Sequence, residues 1–510
     1  MRHTTLGILF SMSLLLAFPS AYAQKQSAPP KKKPATTSPF KGGYPGSATT
    51  QKNYDEITLN RAIEAYRFFY PTVSGYSLIK GNDQVGLAEN KTFGYLDTQP
   101  RHIIYTANSD TPYGPIPMNL NNGPMVVELP AGPLICMAMD VNQRWVADMG
   151  VPGPDAGKGG KHLILPPGYK GEIPSGYHVW RATSNRLIVG VRALPVNGDV
   201  PAALTRIQSI KVHPLKVPAG WSEPKWINLT NMDLDMTPLK WEKNMKYWEM
   251  LHEVVDTEPA YEGYRNQYGD LAALGIEKGK VFKPDARMSK ILEQAAKVAN
   301  DQMRVQAFAD RRPDRVTWSD RKWEWVSLRS ENGDFNTENY ADLEAREKWF
   351  YQAIGASPAM FRRAAGSGSV YWLAARDKNG NYLDGGKTYR LTIPQPVPAR
   401  LFWSVTVYDT ETRSQIHTNQ NKAALRSLFE LKDIANSTQA ELYFGPKAPA
   451  GKENQWIQTL PGKGWFTYMR VYGPDASAFD GSWKPGDFEE VKTPLAGNSS
   501  KPQSTAGVSK

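Results

Sequence analysis

Two long stretches of this chain are written in short apolar or alternating runs, each cut off by Gly, Pro, Asn or Asp. Between residues 93 and 215 the runs are 103–105, 125–129, 135–139, 162–165, 177–182 and 186–193. Runs this short, spaced this evenly and bounded by turn formers, are too brief for helices and fit the strands of a β-sandwich. The pattern returns after Gly366 in 370–375, 388–393, 401–408, 440–444 and 465–472. There Asn379-Gly380 and Asp384-Gly385 are the dipeptides that tight hairpins require, which predicts a second sandwich or jelly roll. Between the two, apolar residues recur at helical spacing over 241–255, 288–308 and 341–354. The expected fold is therefore mainly β with an α-helical insert: two antiparallel β-sandwich or jelly-roll domains, at 53–215 and 366–495, joined by a helical segment at 216–365. An amphipathic helix is also expected over 55–70, where Ile63, Tyr66, Phe69 and Tyr70 share a face and Pro71 ends the run. A short helix over 202–210 closes the first domain.

The ends of the chain read differently. Residues 1–23 have the form of a secretory signal: Arg2, a short apolar run from Leu6 to Phe18, and Ala21-Tyr22-Ala23 as an A-x-A cleavage site. Residues 24–52 are rich in Pro, Lys, Ser, Thr and Gly and are expected to be a disordered leader; 496–510 read as a disordered polar tail. No other run approaches the length of a bilayer-spanning helix, so no transmembrane segment is expected and the mature protein is placed in the periplasm or outside the cell. The formal charge of +11 points away from nucleic acid once it is located. Arg2, the six lysines of 24–52, Lys501 and Lys510 account for nine of those charges and no acidic residue lies among them. A body near neutrality is no electrostatic footprint for nucleic acid. The single cysteine, Cys136, excludes an intrachain disulfide and, within Leu134-Ile-Cys-Met-Ala, reads as a small buried apolar residue.

Several catalytic signatures fail at nameable residues. Gly386-Lys387-Thr388 lacks the first P-loop glycine, since Asn381 stands there, and a strand follows. His252-Glu253 has Asp256 in place of the second histidine of a zinc protease, which leaves His252 and Asp256 more suited to a surface or interdomain contact than to a metal. Ser77-Leu-Ile-Lys80 has no K-T-G companion. Asp377, Asn379 and Asn381 imitate a calcium loop, but Tyr382 replaces its glycine and Thr388 its glutamate, so a tight turn is expected. No cofactor and no metal is called for.

Carboxylates and aromatics remain. Asp110, Glu128, Asp140, Asp148, Asp409 and Asp480 lie in or beside strands, with Tyr113, Trp145, Trp403, Tyr408 and Trp483 near them. A carboxylate pair in a cleft lined by flat rings suits sugar chemistry, with rings stacking on pyranose faces and carboxylates serving as acid and base. The polar stretch Asn108-Ser-Asp-Thr-Pro-Tyr113 immediately precedes strand signals, where short polar side chains bind their own backbone or a ligand.

These residues also carry a resemblance. Asn108-Ser-Asp-Thr-Pro-Tyr113 followed by Gly123-Pro-Met-Val-Val-Glu-Leu-Pro130 resembles the domain of unknown function numbered 1254. Asn381-Tyr-Leu-Asp-Gly385, Phe402-Trp-Ser-Val-Thr-Val-Tyr-Asp409, Arg470-Val-Tyr-Gly-Pro474 and Asp480-Gly-Ser-Trp483 resemble its usual companion, number 1214. The four spaced C-terminal motifs and their order are more specific than any one of them, and the likeness spans roughly 55–492. Pro112 departs from the family pattern, as does Asn454-Gln-Trp456. The resemblance implies two β-sandwiches with helices between, and an architecture similar to the paired jelly rolls of peptide N-glycosidase F. It implies no activity.

The site is expected where the sandwiches face each other. Asp110 and Asp140 are its candidate catalytic carboxylates. Asn108 and Thr111 are expected to orient Asp110, Arg470 to contact a carboxylate or sugar hydroxyl, Trp403 and Trp483 to offer stacking platforms, and Tyr113 and Tyr408 to complete the binding set. The expected role is a glycan-directed binder or hydrolase, or a protein for another small molecule; the alternative is a non-enzymatic structural or assembly protein of the envelope. Homo-oligomerisation is left open.

Overall fold

The computed structural model describes residues 39–97, 99–329, 332–366, 368–434 and 437–491. The expected signal, the leader as far as residue 38 and the 496–510 tail lie outside the described residues. A short hairpin, β1 (Phe40–Lys41) with β2 (Tyr44–Pro45), precedes helix α1 (Ser47–Gln84). The helix starts inside the segment expected to be a leader, and it runs past Pro71, where the sequence reading ended it. A proline inside a helix forfeits one hydrogen bond and costs about 3 kcal/mol. Here burial outweighs that cost, since every residue from Phe69 to Ile79 is buried and Gln143 Nε2 donates to the Pro71 carbonyl at 2.9 Å. Gly75 and Gly81 permit the close approach: a Cβ at either would lie 2.5 Å from the Val141 carbonyl oxygen or 2.6 Å from that of Asp235.

After β3 (Thr92–Tyr95) comes the first sandwich. Its strands are β4 (Tyr113–Asn119), β5 (Met125–Leu129), β6 (Leu134–Asp140), β7 (Trp145–Gly150), β8 (Gly160–Leu165), β9 (His178–Arg181), β10 (Arg186–Ala193) and, after helix α2 (Val200–Gln208), β11 (Lys211–Pro214). They form two four-stranded sheets, ordered β4-β10-β6-β7 and β11-β5-β8-β9. All pairs are antiparallel except the edge pair β8 with β9. Val127, Leu129, Cys136, Ala138, Val189 and Val191 fill the space between them. Strand β12 (Lys225–Asn228) returns to pair in parallel with β3.

The helical part follows as α3 (Met245–Thr257), α4 (Arg265–Ala273), α5 (Ala286–Phe308), α6 (Leu343–Gln352) and α7 (Pro358–Phe361). Its core joins Trp248, Leu251, Leu292 and Met303 to Tyr66, Phe69 and Tyr70 of α1. The helical body is thus completed by a helix that the sequence reading assigned to the first β domain.

The second sandwich is built from β13 (Glu324–Trp325), β14 (Ser369–Ala374), β15 (Tyr389–Pro394), β16 (Ala399–Asp409), β17 (Ala424–Arg426), β18 (Gln439–Gly445), β19 (Trp456–Gln458), β20 (Trp465–Pro474) and β21 (Glu489–Glu490). A five-stranded sheet, β13-β14-β20-β16-β17, packs on a four-stranded one, β19-β18-β15-β21. Only β18 with β19 pairs in parallel. Trp372, Leu391, Val405, Leu442, Phe444 and Met469 lie between the sheets.

Side-chain alternation then fixes where a site can be. Successive residues of a strand point to opposite faces. In β6, Leu134, Cys136 and Ala138 enter the sandwich core, which turns Ile135, Met137 and Met139 outward. In β10 the outward set is Ile188, Gly190 and Arg192; in β20 it is Tyr468, Arg470 and Tyr472, opposite the core residues Met469 and Val471. Both sheets are covered on this second face as well, and the space between those faces is a cavity.

Candidate functional site

The cavity encloses about 690 Å³. One wall is the outward face of β4, β6, β7 and β10; the other is that of β14 and β20; the 104–108 segment and residues around α6 and α7 close it. Its surface is largely apolar, with Ile135, Met137, Met139, Ile188, Ile354 and Met360 among the lining residues. Polar groups converge from both sandwiches. Arg192 comes from the first and Arg470 from the second, flanked by Tyr113, Tyr371, Tyr468 and Tyr472. The Arg192 guanidinium lies 5.7 and 5.6 Å from the ring centres of Tyr113 and Tyr472, and that of Arg470 5.3 and 5.2 Å from those of Tyr371 and Tyr468. Such rings favour a cation facing them.

Hydrogen bonds fix both cations. Arg192 Nε donates to Thr111 Oγ1 at 3.0 Å and its Nη2 to the Tyr472 hydroxyl at 2.9 Å. Arg470 Nη1 donates to the Tyr408 hydroxyl at 2.5 Å and its Nη2 to the Thr106 carbonyl at 2.7 Å. Burial alone would lower the pKa of each, but the neighbouring tyrosines, with Asp110 adding to the effect at Arg470, hold both well above the ordinary arginine value. Both remain charged.

Asp110 lies behind this pair and is 1% exposed. Its Oδ2 accepts from Ser404 Oγ at 2.8 Å and from the Tyr472 hydroxyl at 3.4 Å, while Oδ1 has no hydrogen-bond partner. Burial raises its pKa, opposed chiefly by Arg470. The side chain is a buried link between the sandwiches and does not line the cavity, which removes it as an acid or base in direct contact with a ligand.

The loop around it is held by both halves of the protein. Asn108 Oδ1 accepts from the backbone N–H groups of Asp110 at 2.8 Å and Thr111 at 3.1 Å, an Asx turn that leaves the Asp110 carboxylate to Ser404. The expectation that Asn108 and Thr111 orient that carboxylate is therefore corrected: they shape the backbone, and Thr111 also receives Arg192. Asn108 Nδ2 donates to the Tyr113 hydroxyl at 2.8 Å, and Asn108 and Tyr113 both line the cavity. From the second sandwich, Tyr408 donates to the Ala107 carbonyl at 2.7 Å, Arg426 to that of Ser109 at 2.6 Å, and Gln415 to that of Asn108 at 3.3 Å. Tyr408 is thus a loop anchor outside the lining.

Three other predicted site residues lie elsewhere. Trp403 shares its face of β16 with Val405 and Val407 and packs inside the second sandwich. Trp483 stacks on Trp372 in the same core, with ring centres 5.9 Å apart, and its indole N–H donates to the Pro394 carbonyl. Neither can be a platform for a ligand. Asp140 is fully buried, accepting from the Arg144 backbone N–H at 2.8 Å and from the Thr183 hydroxyl. It has the opposite parity to Met139 and so locks the β6–β7 turn.

The sequence reading left out Arg192, Tyr371, Tyr468 and Tyr472, and it noted Asp148 without assigning it to the site. Among the described residues, Asp148 is the one acidic residue in the lining; burial pushes its carboxyl up to about 6 against the lowering influence of Ser357 and the Ala359 N–H. Other expectations are settled by contacts. Cys136 is buried in the first sandwich, and burial pushes its thiol up. His252 Nε2 contacts the Lys280 carbonyl oxygen at 2.8 Å, and Asp256 accepts from the Gly279 N–H at 2.7 Å, so this pair holds a loop. Asp377 Oδ1 accepts from the N–H groups of Asn379 and Asn381, closing a tight turn. Among the described residues no group of three His, Cys, Asp or Glu side chains is placed to hold a metal ion, and no helix is long and apolar enough to cross a membrane.

Comparison with known proteins follows the same division. A solved structure, the VPA0106 protein from Vibrio parahaemolyticus, matches with a TM-score of 0.54 at 18% identity, over 85% of this chain and 100% of that one. An uncharacterized protein from Burkholderia cenocepacia matches with a TM-score of 0.37 at 11% identity, over 88% of this chain and 97% of that one. The first is a likeness of fold. No curated protein matches the sequence. Residues 91–214 match the family described as protein of unknown function DUF1254, and residues 368–476 that described as protein of unknown function DUF1214. The DUF1254 match precedes the DUF1214 match, in the order the chain's motifs resemble.

Proposed function

We propose that this is an exported protein, periplasmic or secreted, that binds a small molecule in the cavity between its two sandwiches. The carrying observation is the cavity itself. Protein interiors rarely leave voids larger than a water molecule, whereas ligand sites typically occupy about 300–1,000 Å³ with apolar walls and a few fixed polar groups. This space has that size and that lining. A glycan-directed binder or hydrolase is the weaker form of the reading, because Trp403 and Trp483 belong to a core and Asp110 and Asp140 lie outside the lining. A purely structural role accounts for the buried links at Asp110 but leaves the cavity without a use.

Gly190 supplies the test. It lines the cavity, and a Cβ there meets no atom nearer than the Met137 carbonyl oxygen at 3.9 Å, so Gly190→Leu projects into the space without disturbing the backbone. A thermal-shift screen of oligosaccharides, carboxylic acids, lipids and aromatic compounds should give hits on the wild type that disappear in Gly190→Leu, with the unliganded melting temperatures close together. Hits that survive the plug would place binding elsewhere and defeat the proposal.

A further inference from the structure

Resting on the cavity reading, we infer that the ligand is an anionic amphiphile, a single carboxylate or phosphate head on an apolar chain, with its head held between Arg192 and Arg470. The charge balance points to the head. Two guanidiniums lie beside Tyr472 at this end of the cavity, and behind the wall one buried carboxylate, Asp110, faces them, enough to offset a single positive charge. Of the other cations, Arg400 is paired with Asp475 and Arg426 with Glu430, while Arg362 acts on Asp148. Arg192 and Arg470 together therefore carry one positive charge more than Asp110 offsets in a buried place, an arrangement that favours an incoming anion.

Donor geometry agrees. Among the described residues, Arg192 Nη1 and Arg470 Nε make no hydrogen bond, although their other nitrogens are committed. Each guanidinium thus keeps one nitrogen with no protein partner while its other two are held in place, suited to the oxygens of one head group. Asp148 does not compete for the position: Arg192 registers with Ile135 and Gly150, whereas Asp148 sits on β7, two strands across the sheet from β10 and in register with Met137. The remainder of the space selects the body of the ligand. Met137, Met139 and Ile188 form an apolar floor along adjacent strands, and methionines adapt to flexible chains.

Calorimetric titration of the full chain with laurate, dodecyl phosphate, dodecanol and acetate tests the inference. Laurate or dodecyl phosphate should bind, and the stronger of the two identifies the head. Dodecanol should bind about ten- to hundredfold more weakly, the equivalent of one or two charged hydrogen bonds, and acetate should not bind measurably. Arg192→Gln should weaken the preferred anion by about tenfold and leave dodecanol unchanged. Should that variant fail to fold, the anion-to-alcohol ratio on the wild type decides alone. Equal affinity for laurate, dodecyl phosphate and dodecanol, all abolished by Gly190→Leu, would overturn the head-group inference while the cavity reading stands. Binding of none of these probes overturns the inference, and binding that ignores Gly190→Leu overturns the cavity reading with it.

Discussion

Removing Arg413 should destabilise this protein more than removing any exposed charge, and the structure sets the size of the loss. Arg413 and Glu242 have side chains 0% and 4% exposed, and Arg413 Nη2 donates to both carboxylate oxygens, at 3.0 and 2.8 Å. Tyr70 also donates to Glu242 at 2.8 Å, Arg413 Nη2 donates to Tyr105 at 2.7 Å, and the guanidinium lies 4.1 Å from the ring centre of Tyr351. The pair joins a loop of the second sandwich to the helical body and to the segment leading into 105–113. Burial by itself would lower the Arg413 pKa; Glu242 reverses that, so the cation persists. Arg413→Met strands the Glu242 carboxylate away from water, a loss of about 3–5 kcal/mol. At about 2.1 cal/mol/K per residue, cooperative unfolding of roughly 450 residues carries near 1 kcal/mol/K, so the melting temperature should fall by about 3–5 °C. The double variant Arg413→Met/Glu242→Leu removes both charges and should recover more than half of that fall. Differential scanning calorimetry of the wild type, the single and the double variant checks it. A shift under about 1 °C for the single variant, or a double variant no better than the single, would refute the reasoning.

Two further outcomes are expected. Asp148, like Asp140, whose carboxyl burial also pushes up to about 6, should contribute to the pH dependence of stability. Its folded-state pKa, about 6, exceeds the unfolded value, so its contribution is fully present below about pH 4 and is lost as pH rises through 6. His102 and His162, each lowered to about 4 chiefly by burial, act in the opposite sense: their contribution is present above about pH 6.5 and is lost as pH falls through 4. The difference between Asp148→Asn and the wild type isolates the carboxyl and should shift in favour of the variant by up to about 3 kcal/mol between pH 4 and 7. A difference that stays flat in thermal melts across that range would contradict the assignment. Trp483→Ala should cost about 3–5 kcal/mol through the void left against Trp372, while the affinity of any cavity ligand, measured by titration of the folded fraction, stays the same. Weakened binding with unchanged stability would return Trp483 to the site.

Most of the fold was legible in the sequence because its signals are local. Ten of the expected runs are strands within a few residues of their bounds, but 103–105 is only an isolated bridge at Ile103 and β4 and β7 had no run of their own; the helices α3, α5 and α6 follow the apolar spacing. What failed depends on distant partners. Pro71 does end helices in water, but here the 69–79 stretch of α1 is buried against segments remote in sequence, including Val141 and Asp235. No local pattern in 71–84 announces that enclosure.

The site residues were misjudged for a different reason, one that the sequence itself could have corrected. In Phe402-Trp-Ser-Val-Thr-Val-Tyr408 the positions 403, 405 and 407 are apolar and 404 and 406 polar, so Trp403 must share the core face and Ser404 the face toward Asp110. The same parity in β20 sets Arg470 with Tyr468 and Tyr472, against Met469 and Val471. A strand buried on both faces normally reads as a continuous apolar run. An arginine among the apolar residues of such a run, as Arg192 in Leu187-Ile-Val-Gly-Val-Arg-Ala193, marks a second face that is covered yet polar, and a glycine at the same parity, Gly190, marks where that face leaves room. Two such arginines, on strands of different sandwiches and each opposite a row of core residues, converge only if those second faces meet. That reasoning places the ligand head at Arg192 and Arg470, whereas choosing residues by chemical type alone led to tryptophans already committed to packing.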